Sequence, residues 1–499
     1  MIIHGEGGTG KSKVLQTVTQ TFKNRRCENM LVKAAYTGVA ASLIEGKTTH
    51  VIGGISGTTG RFNADDPVSD ETRSKLAKFW EHRHYLALDE ISMISKDFLA
   101  LLARNIGIGK GDPEGRSFGG ISVIMLGDFH QFPPVARPLR DALYYPVDFS
   151  NDSLTSQIGR AIYEEFTTVV ELKEQRRISD PVWHDFLQHL RRGTVNAEHL
   201  KMLRSLIIGK GEAPTIDFSS LPWNEAALVT PRHAVRTQWN DAAIRKMCRE
   251  KGRQIFKCTA HDTIKGRTIS MKERCILETH RGKKNRGGHT VKDLPYCIEI
   301  AIGMKVMVTN NIETDLDITN GAHGEIVDII LDPDEPPIDA NENIIRLRYM
   351  PAYLLVKLTR TRATRLEGLH ECVIPVEPVS TNYRIKESVN GKMIQRTVQG
   401  RQLPLTAAYA FTDYRSQGQT ILYVLVDIAS PPSGSLSLFN LYVALSRSSG
   451  RETIRLLRDF RVDDELFMKQ RDQALIREDG RLEALDIETR KWYEKVVLA

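Results

Sequence analysis

The apolar and polar positions in the first third of this chain alternate between two spacings. Short apolar runs at residues 30–34, 85–88 and 122–126 predict strands, and longer mixed runs at 11–23, 39–44 and 71–80 predict helices. Strands alternating with helices predict a parallel sheet, because two parallel strands need a long crossover between them. Residues 53–67, rich in Gly, Thr and Asp, predict an inserted loop or small hairpin. Leu187, Leu190, Leu200 and Leu203 lie near helical spacing within 182–206. A second α/β block opens with a strand at 226–229 and a helix at 233–249. From Lys305 to about Arg396 the runs shorten and are separated by Asn320-Gly321, Pro333 and Asn390-Gly391, turn signals of a small all-β module. The α/β pattern returns at 405–410 and 422–428, and the charged stretch from Asp463 predicts helix.

Length and composition narrow the class. At ~150 residues per domain, 499 residues suggest about three domains. With 41% hydrophobic and 26% charged residues a core is available and global disorder is excluded. No apolar run approaches the ~18 residues needed to span a bilayer, so no membrane partner is expected. Met1-Ile2-Ile3-His4-Gly5 has neither the basic nor the apolar region of a secretory signal, and the expected location is intracellular, in the nucleus or the mitochondrion. Lys plus Arg outnumber Asp plus Glu 69 to 62, a mild excess that permits a polyanion partner without requiring one. The six cysteines contain no C-x-x-C pair, so neither a disulfide framework nor zinc is expected. Residues 265–292 are basic and Gly-rich; a nucleic-acid contact and a solvated loop are both open readings.

The strongest local signal is Gly5-Glu6-Gly7-Gly8-Thr9-Gly10-Lys11-Ser12, which fits G-x-x-x-x-G-K-[ST] between an apolar stub and a helix-forming run. Its glycines let backbone N–H groups converge on phosphate oxygens at a helix N-terminus. Lys11 is then suited to the β- and γ-phosphates of ATP and Ser12 to Mg2+. Downstream, an apolar run ends in Asp89-Glu90, a pair fit to hold Mg2+ and to orient and deprotonate the attacking water. A further strand ends at Gly127-Asp128-Phe129-His130-Gln131-Phe132-Pro133-Pro134, where Gln131 can sense a γ-phosphate. Three arginine-bearing segments follow: Glu174-Gln175-Arg176-Arg177, Arg415-Ser416-Gln417-Gly418, and Tyr442-Val443-Ala444-Leu445-Ser446-Arg447. Each alone reads as a solvated charge or cap. Together they supply the cations that phosphoryl transfer needs.

In order along the chain, GEGGTGKS, TGVAA with TTH, LDEISM, GDFHQFPPV, EQRR, TDYRSQGQT and YVALSR resemble the superfamily-one helicases of the Pif/RecD-like type. Among these the set is most similar to the helicase segment of Helitron transposon proteins, and the likeness spans roughly 1–460. The resemblance implies an α/β fold of two RecA-like P-loop domains, at 1–178 and at 179–304 with 401–462. It also implies a small wedge within 53–70, an SH3-like β insertion at 305–400 and a charged helical tail at 463–499. It implies an ATP-dependent DNA helicase that travels 5′→3′ on single-stranded DNA, unwinds duplex and forked DNA, and acts as a monomer. Carried over by motif, Lys11, Glu90, Gln131, Arg177 and Arg447 are catalytic. Gly5, Gly7, Gly8, Thr9, Gly10, Lys11, Ser12, Gln417 and Gly418 serve ATP, and Ser12 and Asp89 hold Mg2+. Thr37, His50, Phe62, Thr412, Tyr414 and Arg415 contact DNA. Arg177 rather than Arg176 takes the first finger position, by its distance from Leu172.

Two departures stand out. Relatives carry a glutamine-containing adenine-binding segment before the P-loop, whereas four residues precede Gly5 here, so that segment is expected to be missing. The family's His-Lys before Ser-Gln-Gly reads Tyr414-Arg415. The alternative reading is therefore a catalytically impaired DNA-binding remnant of a mobile-element helicase. A small-molecule kinase leaves 127–135, 416–419 and the later arginines unexplained. His82-Arg83-His84, the one H-x-H, fits a surface role better than a nuclease metal site.

Overall fold

The computed structural model describes all residues except 56–65, 136, 210–215, 281–294, 314–315, 317, 362–364, 390–391, 418–420, 432–434, 461–463 and 498–499. The chain forms two compact units, Met1–Arg236 with Phe411–Ala499, and Thr237–Ala410.

In the first unit the chain runs β1 (Ile2–Gly5), α1 (Lys11–Asn24), β2 (Leu31–Ala35), α2 (Gly38–Leu43), β3 (Lys47–Thr48), α3 (Thr49–Ile52), α4 (Asp70–Trp80), β4 (Tyr85–Asp89), α5 (Lys96–Lys110), β5 (Ser122–Gly127), α6 (Leu154–Glu164), β6 (Val169–Leu172), α7 (Pro181–Arg192) and α8 (Ala197–Ser205). The strands form one sheet in the order β3-β2-β4-β5-β1-β6. Every pairing in it is parallel, with Ile2 opposite Met125 on one side and Val169 on the other. Layers on both faces explain why these strands read as apolar runs rather than alternating ones. On one face, Phe98, Leu102 and Ile106 of α5 pack with Leu76 and Trp80 of α4. On the other, Leu15 of α1 meets Ala40, Ala41 and Ile44. Helix α5 is buried along most of its length. It buries Lys96, Asp97 and Asn105 along with its apolar side chains, so its polar positions do not mark a solvent face.

The helices start where side chains can cap them. The Ser69, Ser95 and Ser153 hydroxyls accept backbone N–H groups at the starts of α4, α5 and α6. Asp180 caps α7 ahead of Pro181, and Gly193, at φ +71°, ends it. That left-handed glycine splits the expected helix at 182–206 into α7 and α8.

The same unit holds a second parallel set: β7 (Ala227–Val229), Val424–Val426 and Ile454–Leu456, with Val424 beside both Ala227 and Ile454. Trp183, Phe186 and Leu190 of α7 and Leu203 of α8 form its core with Leu441 and Leu445 of the helix Leu438–Leu445. The charged C-terminal stretch is the helix Gln473–Val497, and it returns to the first sheet. Thr489 Oγ1 accepts the Val169 N–H at 3.0 Å and Asp486 Oδ1 accepts the Glu171 N–H at 3.0 Å. The free donors of edge strand β6 are thereby satisfied and closed to further strands.

The second unit is mainly antiparallel. Five strands order as Val373–Val376, Tyr353–Leu358, His323–Ile330, Lys305–Val308 and Leu405–Ala407. The hairpin Val379–Val389 with Lys392–Gln402 extends a second sheet. Ile255–Thr259 pairs with Cys297–Ile300 and Ile344–Arg346 in a third. The fold is thus α/β with parallel P-loop-type sheets plus β insertions. Of the expected wedge at 53–70, residues 56–65 lie outside the described ones.

Candidate active site

The turn from β1 into α1 holds Gly8 at φ +104° and Gly10 at φ +94°, backbone that side chains rarely adopt. Gly8 is also short of room: a methyl group on it would lie 2.2 Å from Gln175 Oε1. The Thr9 hydroxyl donates to Glu6 O at 2.9 Å. The Lys11 ammonium donates to Gly5 O at 2.7 Å and Glu6 O at 3.0 Å, so it rests on the carbonyls of its own loop. Burial lowers its pKa, against the pull of Asp128, Glu90 and Asp89. Ser12, next along α1, is exposed.

Asp89 ends β4 almost wholly buried. Burial first, and the neighbouring Glu90 second, push its carboxyl up to about 7. Glu90 sits in the left-handed region at φ +55°, a strained position for a residue with a side chain. Its Oε2 accepts from Gln417 Nε2 at 2.9 Å.

Above the P-loop three side chains converge. A methyl group on Gly7 would lie 3.5 Å from Gln131 Nε2, 3.6 Å from Arg447 Nη2 and 3.8 Å from Arg177 Nη1. Arg447, 1% exposed, comes from just after the helix Leu438–Leu445 and donates to Val443 O at 2.7 Å and Ser446 Oγ at 2.9 Å. Arg177 Nη1 donates to Ser446 O at 3.2 Å. Burial, and then the nearby Arg177, lower the Arg447 guanidinium to about 9. Burial likewise lowers Arg177. Two cations held side by side over a Gly-rich loop form a pocket for an anion. Arg176 turns outward instead and pairs with Glu174 at 2.7 Å.

The DNA-side candidates sit on other elements. Thr37 caps α2, its hydroxyl accepting the Ala40 N–H at 3.2 Å. His50 in α3 packs its ring 5.2 Å from Tyr36 and 4.9 Å from Phe98, and burial lowers its pKa. Thr412 precedes the short helix Asp413–Ser416. On that helix Tyr414, half exposed, stacks on buried Phe132 at 4.0 Å. Burial, with Arg236 beside it, lowers Arg415 to about 10. Phe62 and Gly418 lie outside the described residues.

Residues 1–199 match the family model described as PIF1-like helicase. Over 488 residues the chain is 25% identical to the ATP-dependent DNA helicase PIF1 of Emericella nidulans, covering 91% of this chain and 57% of that protein. Over its first 199 residues and in alignments over most of its length the chain is similar to Pif1-like helicases. The fold is shared with solved structures. The Candida albicans Pif1 helicase structure aligns with TM-score 0.64 at 22% identity, over 97% of this chain and 95% of that one. Bacteroides Pif1 bound to ssDNA aligns with TM-score 0.63 at 20% identity, over 97% and 93%. The chain spans about half the length of the curated relatives it matches, 57%, 43% and 58% in three of them.

The pocket has further supports. Gln175 braces the P-loop, donating to Gly7 O at 3.1 Å while its Oε1 accepts the Arg177 N–H at 3.0 Å. It lies inside EQRR, between the residues that drew notice. Asp128 accepts from Arg191 at 3.0 Å and from the Tyr442 hydroxyl at 3.2 Å. Burial works to raise Asp128, but Arg191, His130 and Lys11 outweigh it and hold the carboxyl well below the usual range. His184 reaches Glu6 of the P-loop at 3.4 Å. No spacing in the sequence marks Arg191 or His184, because α7 meets these partners only through tertiary packing.

Proposed function

We propose that this chain is an ATP-dependent DNA helicase that translocates 5′→3′ on single-stranded DNA and unwinds duplex and forked DNA. The observation that carries the proposal is the convergence of Gln131, Arg177 and Arg447 on Gly7. Its relatives' names as ATP-dependent DNA helicases support it.

The residues fit the groups the reaction needs. A buried carboxylate pushed up by burial and a like charge suits a hard dication, so Asp89, with the Ser12 hydroxyl at the start of α1, would hold Mg2+. Bound there, Mg2+ neutralises charge on the phosphate oxygens. Gly5, Gly7, Gly8, Thr9, Gly10 and Lys11 cradle the triphosphate, and Lys11 leaves its loop carbonyls to do so. Glu90 orients and deprotonates the attacking water. Gln131 senses the γ-phosphate, and Arg177 and Arg447 stabilise the charge that spreads over its oxygens. Gln417, bonded to Glu90, links the hydrolytic carboxylate to Thr412, Tyr414 and Arg415 on the DNA side. Hydrolysis and release of the phosphate remove the anion that relieves the two arginines' mutual repulsion, and the change is passed to the strand.

Thr37, His50 and Phe62 are proposed to contact DNA from the first lobe. The resemblance extends the proposal to repair, recombination and telomere maintenance in the nucleus or mitochondrion, or to Helitron transposition, with the chain acting as a monomer. The test is ATPase activity with and without single-stranded DNA. The expected result is strong stimulation that Lys11→Ala abolishes. A folded wild-type chain that binds DNA without stimulated turnover supports the impaired-remnant reading instead.

A further inference from the structure

Away from the nucleotide pocket, α7 and α8 bring together three side chains that the proposed motor does not use. Asp185 and His189 lie one turn apart on the same face of α7, and His199 stands at the start of α8. Their ligand atoms all lie within 4.8 Å of one another. His199 Nε2 is 3.1 Å from Asp185 Oδ2, and His189 Nε2 is 3.8 Å from Asp185 Oδ1. The two imidazole rings are 4.7 Å apart, centre to centre. We propose that Asp185, His189 and His199 form a binding site for a borderline divalent transition metal of the Zn2+ class, which pins the start of α8 to α7.

The donor set decides the class of ion. Two imidazole nitrogens with one carboxylate suit Zn2+, Co2+, Ni2+ or Cu2+ and suit Mg2+ poorly, since Mg2+ prefers oxygen ligands throughout. The surroundings orient one ligand already. His189 Nδ1 lies 3.1 Å from Thr194 O and 2.8 Å from Thr194 Oγ1. A carbonyl only accepts, so Nδ1 carries the proton and the Nε2 lone pair faces Asp185, the arrangement that metal-bound histidines share. His199 needs one adjustment. Its Nδ1 accepts the Asn196 N–H at 3.3 Å, so in the metal-free chain Nε2 carries the proton and donates to Asp185. On binding, the metal replaces that proton between Nε2 and the carboxylate. The ring takes up another proton at Nδ1, and the long contact to Asn196 is lost. Asp185 is exposed and His189 partly so, which leaves the remaining coordination positions to water. The site is distinct from the proposed Mg2+ ligands. It shares α7 with His184 and Arg191, which touch Glu6 and Asp128.

The experiment is a Co2+ titration of the nucleotide-free chain in excess Mg2+, followed by visible and near-ultraviolet absorption. The expected result is saturable binding with d–d bands, no intense thiolate charge-transfer band, and displacement by Zn2+. His189→Ala and His199→Ala each weaken binding by about tenfold or more, while His82→Ala on the exposed turn after α4 leaves it unchanged. Thiolate bands in the wild type, no saturable binding below millimolar Co2+, or equal affinity in the His189→Ala/His199→Ala double variant each overturn the proposal. The wild-type spectrum decides alone should a variant fail to fold.

Discussion

The pocket over Gly7 and the seat of the C-terminal helix are both built from buried charges, and the two treat those charges in opposite ways. Under the helix Gln473–Val497, buried Glu478 accepts from the Tyr163 hydroxyl and from Arg481 at 2.7 Å and 3.0 Å, and buried Asp486 takes the Glu171 N–H and Arg490. His130 meets Asp479 at 2.9 Å. Each acid there has a donor. The pocket acids have donors too, the Glu90 N–H to Asp89 at 2.9 Å and Gln417 to Glu90 at 2.9 Å, but there like stands beside like, Arg447 by Arg177 and Asp89 by Glu90. Like beside like is costly in a buried place and makes sense where a ligand supplies the missing charge. The contrast separates charge that holds the fold from charge kept ready for chemistry, within one compact unit.

Four substitutions sharpen or break this contrast. The largest effect is expected from Arg447→Ala, which lowers turnover by about a thousandfold or more while nucleotide affinity changes little. Steady-state ATPase assays with nucleotide titrations measure both, and equal loss of binding and turnover would contradict the finger role. Next is Glu478→Ala, which leaves Tyr163 and Arg481 without their acceptor and costs about 2–3 kcal/mol in denaturant unfolding. Its ATPase is retained below the melting range; unchanged stability would mean that the pairing under the C-terminal helix carries no load.

Asp89→Asn comes third and acts in two directions. A carboxyl raised from its ordinary value to about 7 contributes stability at low pH that is lost as pH climbs through about 7. The uncharged amide escapes that loss. The nucleotide-free variant therefore melts a few degrees (~2–5 °C) above the wild type at pH 8, and the gap narrows as pH falls below about 7 and closes near the ordinary carboxylate value of 3.8. ATPase falls at every pH. A variant that melts below the wild type at pH 8 would show that Asp89 is paired, not strained. The smallest effect is expected from Arg176→Ala, which removes an exposed pair worth less than ~0.5 kcal/mol and leaves turnover near wild type. A large loss there would move the finger from Arg177 to its neighbour.

Much of this was legible without coordinates. Strands at 30–34, 85–88 and 122–126 appear within a residue or so, because parallel strands covered on both faces are apolar throughout and end abruptly. The split at Gly193 carried a signal, a glycine inside a helical pattern, and it was passed over. Helix α5 was harder to read, since Lys96, Asp97 and Asn105 are buried along with its apolar residues. In the candidate site, Lys11, Asp89, Glu90 and Gln131 are readable because each sits at a strand end or turn where local backbone geometry dictates the residue. Gln175, Arg191 and His184 are not, because their partners lie far away in the sequence.

The order of motifs, the P-loop with its left-handed glycines, and the alternation that calls for a parallel sheet follow from local chemistry alone, since each depends on residues a few positions apart. Two things were left to tertiary packing: that Arg447 arrives over Gly7, and that Asp185, His189 and His199 meet. Side chains separated by tens to hundreds of residues acquire a distance only when the sheets and helices that carry them are packed.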